Sequence, residues 1–241
     1  MNIYIITGAS KGIGFELAKQ ISSKGHFVIG IARTISILDG VKFITADLSE
    51  TEKLTALMDE IIAVSPREAV SFTLINNAGM VDPIGLIGNV HEGDITKAIA
   101  VNLTAPMILS NAFIGALKNF KGLKRIVNIS SGAGRNAYEG WGTYCTTKAG
   151  LDHFSRVVAL EQSNAEHPVD IVSIAPGIID TDMQKTIRGS KEEAFPLLDR
   201  FIDYKEKGLL SSAEQTAGQL ITFMANVDFK TADTIADLRD F

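Results

Sequence analysis

The sequence of 241 residues holds a single cysteine, Cys145, so it can form no internal disulfide, and a reducing, cytoplasmic setting is expected. Histidine is scarce and scattered: His26, His91, His153 and His167 lie far apart and offer no ligand spacing, so no metal site is expected. Charge of neither sign dominates. Lys and Arg number 23 against 28 Asp and Glu, a formal net charge of −5, and no basic block occurs, which argues against a nucleic-acid partner. No apolar run approaches membrane-spanning length, and the short run Ile3–Ile6 gives way at once to glycine, unlike a secretion signal. Repeats, low-complexity tracts and linker-like stretches are also missing, so residues 1–241 are read as one domain.

What is present is a regular alternation of apolar runs and amphipathic segments. The runs at 3–6, 26–32, 41–46, 72–76, 125–129, 169–175 and 233–238 read as strands. Ser49-Glu50-Thr51-Glu52 and Ser211-Ser212-Ala213-Glu214 read as capping boxes opening helices toward Val64 and Met224. A long helix is expected over 143–161, with Pro168 beyond it as a stop. Strands alternating with helices imply right-handed crossovers and a parallel sheet: an α/β, doubly wound fold of seven parallel strands with helices on both faces. Residues 178–210 carry a mixed pattern and no clear strand.

Three groups of residues carry chemistry. The first strand runs into Thr7-Gly8-Ala9-Ser10-Lys11-Gly12-Ile13-Gly14 and then into a helical pattern. Strand, glycine-rich turn and helix form a dinucleotide cradle, in which bare backbone and a helix N-terminus approach a diphosphate. Eighteen residues past Gly14 the second strand ends at Ala32-Arg33, with no acidic residue there to accept from a ribose hydroxyl. Arg33 and Lys11 suit a 2′-phosphate instead, so NADP (as NADPH) is the expected cofactor. Finally, Tyr144 and Lys148 are four residues apart, on one face of the long helix, and Ser131 lies upstream. A lysine ammonium beside a phenol lowers its pKa from about 10 and makes it an acid–base group, while a serine hydroxyl can steady a carbonyl oxygen. Cys145 points about 100 degrees away from Tyr144 and is read as structural.

Thr7-Gly8-x-x-x-Gly12-x-Gly14, Asn76-Asn77-Ala78-Gly79, Asn102, Ser131, Tyr144-x-x-x-Lys148 and Pro176-Gly177 occur in this order. The set resembles a short-chain dehydrogenase/reductase of the classical subfamily, and the resemblance spans nearly the whole chain. The stretches 128–150 and 180–184 and the tail Ile235-Ala236-Asp237-Leu238-Arg239 are similar to those of benzil reductases and sepiapterin reductases. The resemblance implies a single-domain Rossmann fold with a substrate loop at about 178–210. It implies catalytic roles for Ser131, Tyr144 and Lys148, with Asn102 placing a water in a proton relay. Cofactor contacts are implied for Thr7, Gly8, Ser10, Lys11, Gly12, Ile13 and Gly14 at the diphosphate, and for Asp47 and Leu48 at the adenine. Asn77, Ala78, Gly79, Tyr144 and Lys148 are implied near the ribose, with Asn76 structural, and Pro176, Gly177, Ile179 and Thr181 at the carboxamide.

The expected substrate is a small-molecule carbonyl compound: a bulky, largely apolar ketone or 1,2-diketone, touched by Ser131, Tyr138, Trp141, Tyr144 and Met183. Ile178, Phe195, Leu197 and Leu198 are expected to add to an apolar pocket, and Arg188 and Lys191 to stay outside it. Other readings remain: a 3-oxoacyl thioester as substrate, or a dinucleotide-binding regulator without turnover. An intact Ser/Asn/Tyr/Lys set speaks against the regulator, which needs no tuned acid. The helices at 105–117 and 151–160 carry more apolar residues than a sheet-facing stripe needs, so a homodimer or homotetramer is expected.

Overall fold

The computed structural model describes residues 1–241. Strands β1 (Asn2–Thr7), β2 (Phe27–Ala32), β3 (Val41–Thr45), β4 (Ser71–Asn76), β5 (Leu123–Ile129), β6 (Asp170–Ala175) and β7 (Ile235–Asp237) form one sheet in the order β3-β2-β1-β4-β5-β6-β7. Every pairing is parallel. The chain winds outward from β1 in one direction and then from β4 in the other. The crevice between those two strand ends is therefore the switch point where α/β sheets bind ligands.

The strands read as unbroken apolar runs because both faces are covered. On β1, Ile3 and Ile5 enter one core and Ile6 the other, the period of two that a pleated strand imposes. The first core packs α2 (Leu54–Ala63), α4 (Ala105–Ala116) and α5 (Gly142–Gln162) against the sheet through Leu57, Met58, Leu109, Phe113 and Val158. The second packs α1 (Gly12–Ser22) and α8 (Ala213–Asn226) through Leu17, Ile21, Leu220 and Phe223.

Several local expectations shift. The first capping box does not form: the Ser49 hydroxyl donates to Asp47 (2.7 Å), and the chain passes through a 3-10 turn at Thr51–Lys53 before α2 starts. The second forms one residue later, between Ser212 and Gln215, because Ser211 is held by backbone bonds to Ile178 and Asp180. The last strand is confined to three residues, and Leu238 starts a 3-10 turn. The segment after β6 is not a plain loop: it contains α6 (Asp182–Arg188) and α7 (Leu198–Glu206).

A continuous helical stretch of 25 residues, Glu92–Ala116, joins α3 (Glu92–Ile99) to α4 through a π-helical turn at Ala100–Thr104. Short apolar runs thus merge into one helix long and apolar enough to cross a membrane by length and composition, yet Ala105, Leu109 and Phe113 belong to the core beneath the sheet.

Candidate active site

A cleft of about 1030 Å³ opens along the carboxyl ends of the strands, at the β1/β4 switch point. Gly8, Ser10, Lys11, Gly12 and Ile13 form its floor. Gly8 and Gly12 take φ of 67° and 57°, where a side chain would be strained. The first turn of α1 has neither an acidic residue nor a side-chain cap, so its N–H groups remain available to an anion. These residues fit a dinucleotide diphosphate. Thr7 and Gly14 stand behind the cradle and do not line it. The Thr7 hydroxyl accepts from the N–H groups of Asn77 and Ala78, both at 3.0 Å, and locks β1 to β4. Asn77 lines the cleft, but its amide is committed to bracing the glycine turn, donating to Thr7 O (2.9 Å) and Gly8 O (3.3 Å). Asn76 is structural, donating to Asn128 at 2.8 Å in the core.

Toward the other lip the cleft is lined by Arg33, Asp47 and Leu48, and by Ala78 and Gly79. Arg33 makes no ion pair. Lys11 reaches Asp182 at the start of α6 (3.2 Å), a link between the two lips that the sequence does not announce. The Ser49 backbone and hydroxyl donate to Asp47 and hold its carboxyl below the usual range. Pro176, Gly177, Ile179 and Thr181 form the opposite wall. Thr181 occupies the N-cap position of α6 without capping it; its hydroxyl donates to Ile179 O (3.4 Å).

Ser131, Tyr144 and Lys148 come together in the middle of the cleft. The 3-10 turn Gly132–Gly134 starts at Ser131 and packs on α5, which carries Tyr144 and Lys148 one turn apart. Ser130 is buried with its hydroxyl unpartnered, and it lines the same cavity. The expected lowering of the Tyr144 pKa is not found in this state. Burial pushes the phenol up to about 12, opposed only in part by a hydrogen bond with the Ser131 side chain. Lys148 does not offset this, because its ammonium donates to Ile129 O at 2.7 Å and lies 5.8 Å from the Tyr144 ring centre. Burial also brings Lys148 down to about 8, with Asp152 opposing.

Asn102 is not a cleft residue. It lies in the π-helical turn, accepts from Met80 N (2.9 Å) and donates to Met80 O (2.7 Å) and Thr147 (3.4 Å). Its side chain therefore fixes the backbone beside Gly79.

The Lys148 shift gives a stability prediction. A folded-state pKa of about 8, below the ordinary 10.5, means that the folded chain binds this proton less well than the unfolded chain. The group subtracts stability at pH 7, and the deficit fades as pH rises from about 8 to 10.5. Lys148→Met is expected to be more stable than wild type at pH 7 by about 1–3 kcal/mol, after allowing for the lost bond to Ile129. The gap should close by about pH 10.5, as thermal melts at the two pH values would show. A variant no more stable than wild type at pH 7 would contradict this account.

The substrate end is built around Trp141. Its ring stacks on Phe195 (4.8 Å between centres, 16° between planes) and meets Tyr144, Phe201 and Tyr138 at 5.1–5.5 Å. Trp141 is 5% exposed and its indole N–H has no partner. Tyr138, Trp141, Met183, Ile178 and Ile179 line the cleft as expected. Phe195, Leu197 and Leu198 do not: Phe195 is fully buried against Trp141, and both leucines pack on that aromatic cluster. In their place come Val81, Ile187, Phe201 and Tyr204, which the sequence reading missed. The available signal was the amphipathic spacing of Phe201 and Tyr204 on α7. Arg188 is turned to Gln184 and Asp180, outside the apolar end. Of the cations that border the cleft, Arg239 is held bidentately by Asp237 and Arg200 lies on Tyr204.

The profile of the short chain dehydrogenase family matches residues 2–192. The chain belongs to that family. It is 40% identical over 245 residues to a benzil reductase ((S)-benzoin forming) of Bacillus cereus, covering 98% of each chain. It is 29% identical over 251 residues to a sepiapterin reductase of Xenopus laevis, covering 96% of this chain and 93% of that one. The crystal structure of the KRED1-Pglu enzyme superposes with a TM-score of 0.85 at 27% identity, covering 98% of this chain and all of that one. Membership makes the chain an oxidoreductase of the nicotinamide-dinucleotide class, and its relatives make it a carbonyl reductase.

Proposed function

We propose that the chain reduces a bulky, largely apolar ketone or 1,2-diketone, of the benzil or sepiapterin kind, with NADPH. The observation that carries this reading is the single cleft that holds Arg33 at one end, Ser131 and Tyr144 in the middle, and the Trp141 aromatic cluster at the other. When bound, the reduced nicotinamide supplies the hydride. The glycine turn and Arg33 hold the dinucleotide. Ser131 donates a hydrogen bond to the substrate oxygen, and Tyr144 delivers its proton to that oxygen as charge develops there. With its pKa near 12, Tyr144 keeps its proton at neutral pH until such a base is presented. Lys148, swung from Ile129 toward the phenol, then stabilises the phenolate.

The test is NADPH consumption by purified protein over a panel of diketones, pterins, quinones, small aliphatic ketones and acyl thioesters. Aromatic diketones should show a far higher kcat/KM than aliphatic ketones; a preference for a 3-oxoacyl thioester would overturn the reading.

Arg33 has no ion-pair partner, which suits it to a 2′-phosphate. Arg33→Asp should raise KM for NADPH by about 10-fold or more and relatively favour NADH, because a carboxylate repels the phosphate and accepts from a ribose hydroxyl. Equal use of both cofactors by wild type would overturn the assignment.

Met107 on α4 and Val157 and Leu160 on α5 are exposed and apolar, which supports a homo-oligomer built on these helices. Light scattering at micromolar concentration should give a dimer or tetramer mass; a monomer mass would remove this element.

A further inference from the structure

The buried Asp152 has no part in the mechanism above. Asp152 lies one turn beyond Lys148 on α5, so Tyr144, Lys148 and Asp152 form a line along one helix face. Asp152 is 2% exposed and Lys148 is 5% exposed. A carboxylate at that depth persists only when it is partnered. One Asp152 oxygen accepts from the Ser173 hydroxyl of β6 at 2.7 Å. The other faces Arg135 Nε at 3.4 Å, on the segment that carries Ser131. Arg135 in turn donates to Ala236 O of β7 at 2.8 Å. The turn between Ser131 and Arg135 closes directly over this pair. A Cβ on Gly134 would lie 2.9 Å from both the Asp152 carboxylate and the Lys148 carbonyl.

We infer that Asp152 is a positioning residue for the reaction: its carboxylate, pinned by Ser173 and Arg135, holds the Lys148 ammonium charged and docks the Ser131 segment on α5. The inference rests on the reading of Lys148 as the cation that serves Tyr144. A buried lysine with no negative charge nearby favours its neutral form, and a neutral amine cannot stabilise a phenolate. Asp152 supplies that charge, and Arg135 attenuates it.

The other ionisable groups around Lys148 do not replace Asp152. On α5 these are Tyr144 and Cys145, with His153 and Arg156 exposed. Glu92, Asp94 and Lys97 lie on α3, of which only Lys97 lines the cleft. Asp237 and Arg239 at the end of β7 pair with each other. Asp170 sits at the opposite end of β6 from the site, and α4 and the π-helical turn carry no charge.

The experiment follows the Lys148 13Cε resonance in lysine-labelled protein without cofactor as pH is varied, assigned by its loss in Lys148→Met. Asp152→Asn should lower the titration midpoint by about one pH unit, and Arg135→Gln, by freeing the carboxylate, should raise it. Ser173→Ala, which leaves the charge in place, should move it far less. The alkaline limb of kcat/KM for carbonyl reduction should shift in the same senses. Arg135 is partly exposed, so its variant should fold even if Asp152→Asn does not, and its upward shift then carries the test alone. Midpoints that stay put, or that fall in both variants, overturn the inference while carbonyl reduction by wild type stands. Opposite shifts in a protein that reduces no carbonyl would instead uphold the electrostatic pairing and sink the proposed reaction.

Discussion

Tyr144→Phe is expected to lower kcat for carbonyl reduction by about 10² or more while dinucleotide affinity and thermal stability stay near wild type. The separation of effects follows from what the Tyr144 side chain touches. Its ring meets Trp141 edge-on at 5.4 Å within the aromatic cluster, and phenylalanine keeps that contact. Its hydroxyl lies in the cleft, which Ser131 also lines. Removing the oxygen therefore removes the proton and little else. Steady-state kinetics with an aromatic diketone, beside fluorescence titration of NADPH, would measure both halves. Near-normal turnover with cofactor still bound would take Tyr144 out of the mechanism, and the family resemblance would then describe the fold but not the chemistry.

The Tyr144/Lys148 pair also shows where a sequence pattern stops. Spacing of four puts the two residues on one helix face, and that much is fixed by helix geometry. The charge state is not. Burial raises the phenol and lowers the ammonium, and Lys148 donates to Ile129 instead of turning to the phenol. Desolvation depends on how the Ser131 turn and the aromatic cluster close over α5, and those contacts lie beyond any local window.

The same distinction runs through the rest of the molecule. The seven strands and their parallel pairing were legible because the apolar runs of a doubly covered sheet are unbroken and the connections between them are helical; their order across the sheet came only with the structure. The glycine turn was legible because strand, glycines and helix adjoin in sequence. The roles within it were less so: Thr7 and Gly14 look like cradle residues, yet Thr7 ties the end of β1 to the segment after β4 and Gly14 packs behind the turn. The substrate end was least legible. Residues 178–210 contain α6 and α7, and whether Phe195 or Phe201 reaches the cleft depends on which ring Trp141 stacks upon. Asn102 is conspicuous by type, but that its amide clamps the Met80 backbone is visible only in the structure.

Gly14→Ala is expected to lose most dinucleotide binding, about 10²-fold or more, and to melt well below wild type, although Gly14 itself does not line the cleft. A methyl group there would lie 2.4 Å from both Asn77 Nδ2 and the Gly8 carbonyl oxygen, far inside contact distance. Neither neighbour can yield cheaply. Asn77 is fixed by its donation to Thr7 O at 2.9 Å, and Gly8 N is bonded to Ile31 O at 2.8 Å. Relief requires the first turn of α1 to move off the glycine turn, and overpacking of this kind costs about 1–3 kcal/mol or more. The displaced N–H groups are those that face the cleft, so the anion site is lost with the packing. Gly115→Ala is the companion variant. Gly115 lies exposed in α4, with nothing within 4 Å of an added methyl, so the change should stabilise the fold by about 0.5–1 kcal/mol through helix propensity. Thermal melts and NADPH titration of the two variants separate a steric requirement at Gly14 from a general cost of replacing glycine. Wild-type affinity and stability in Gly14→Ala would mean that the turn can widen, and that the close approach of α1 to Asn77 is not what holds the dinucleotide.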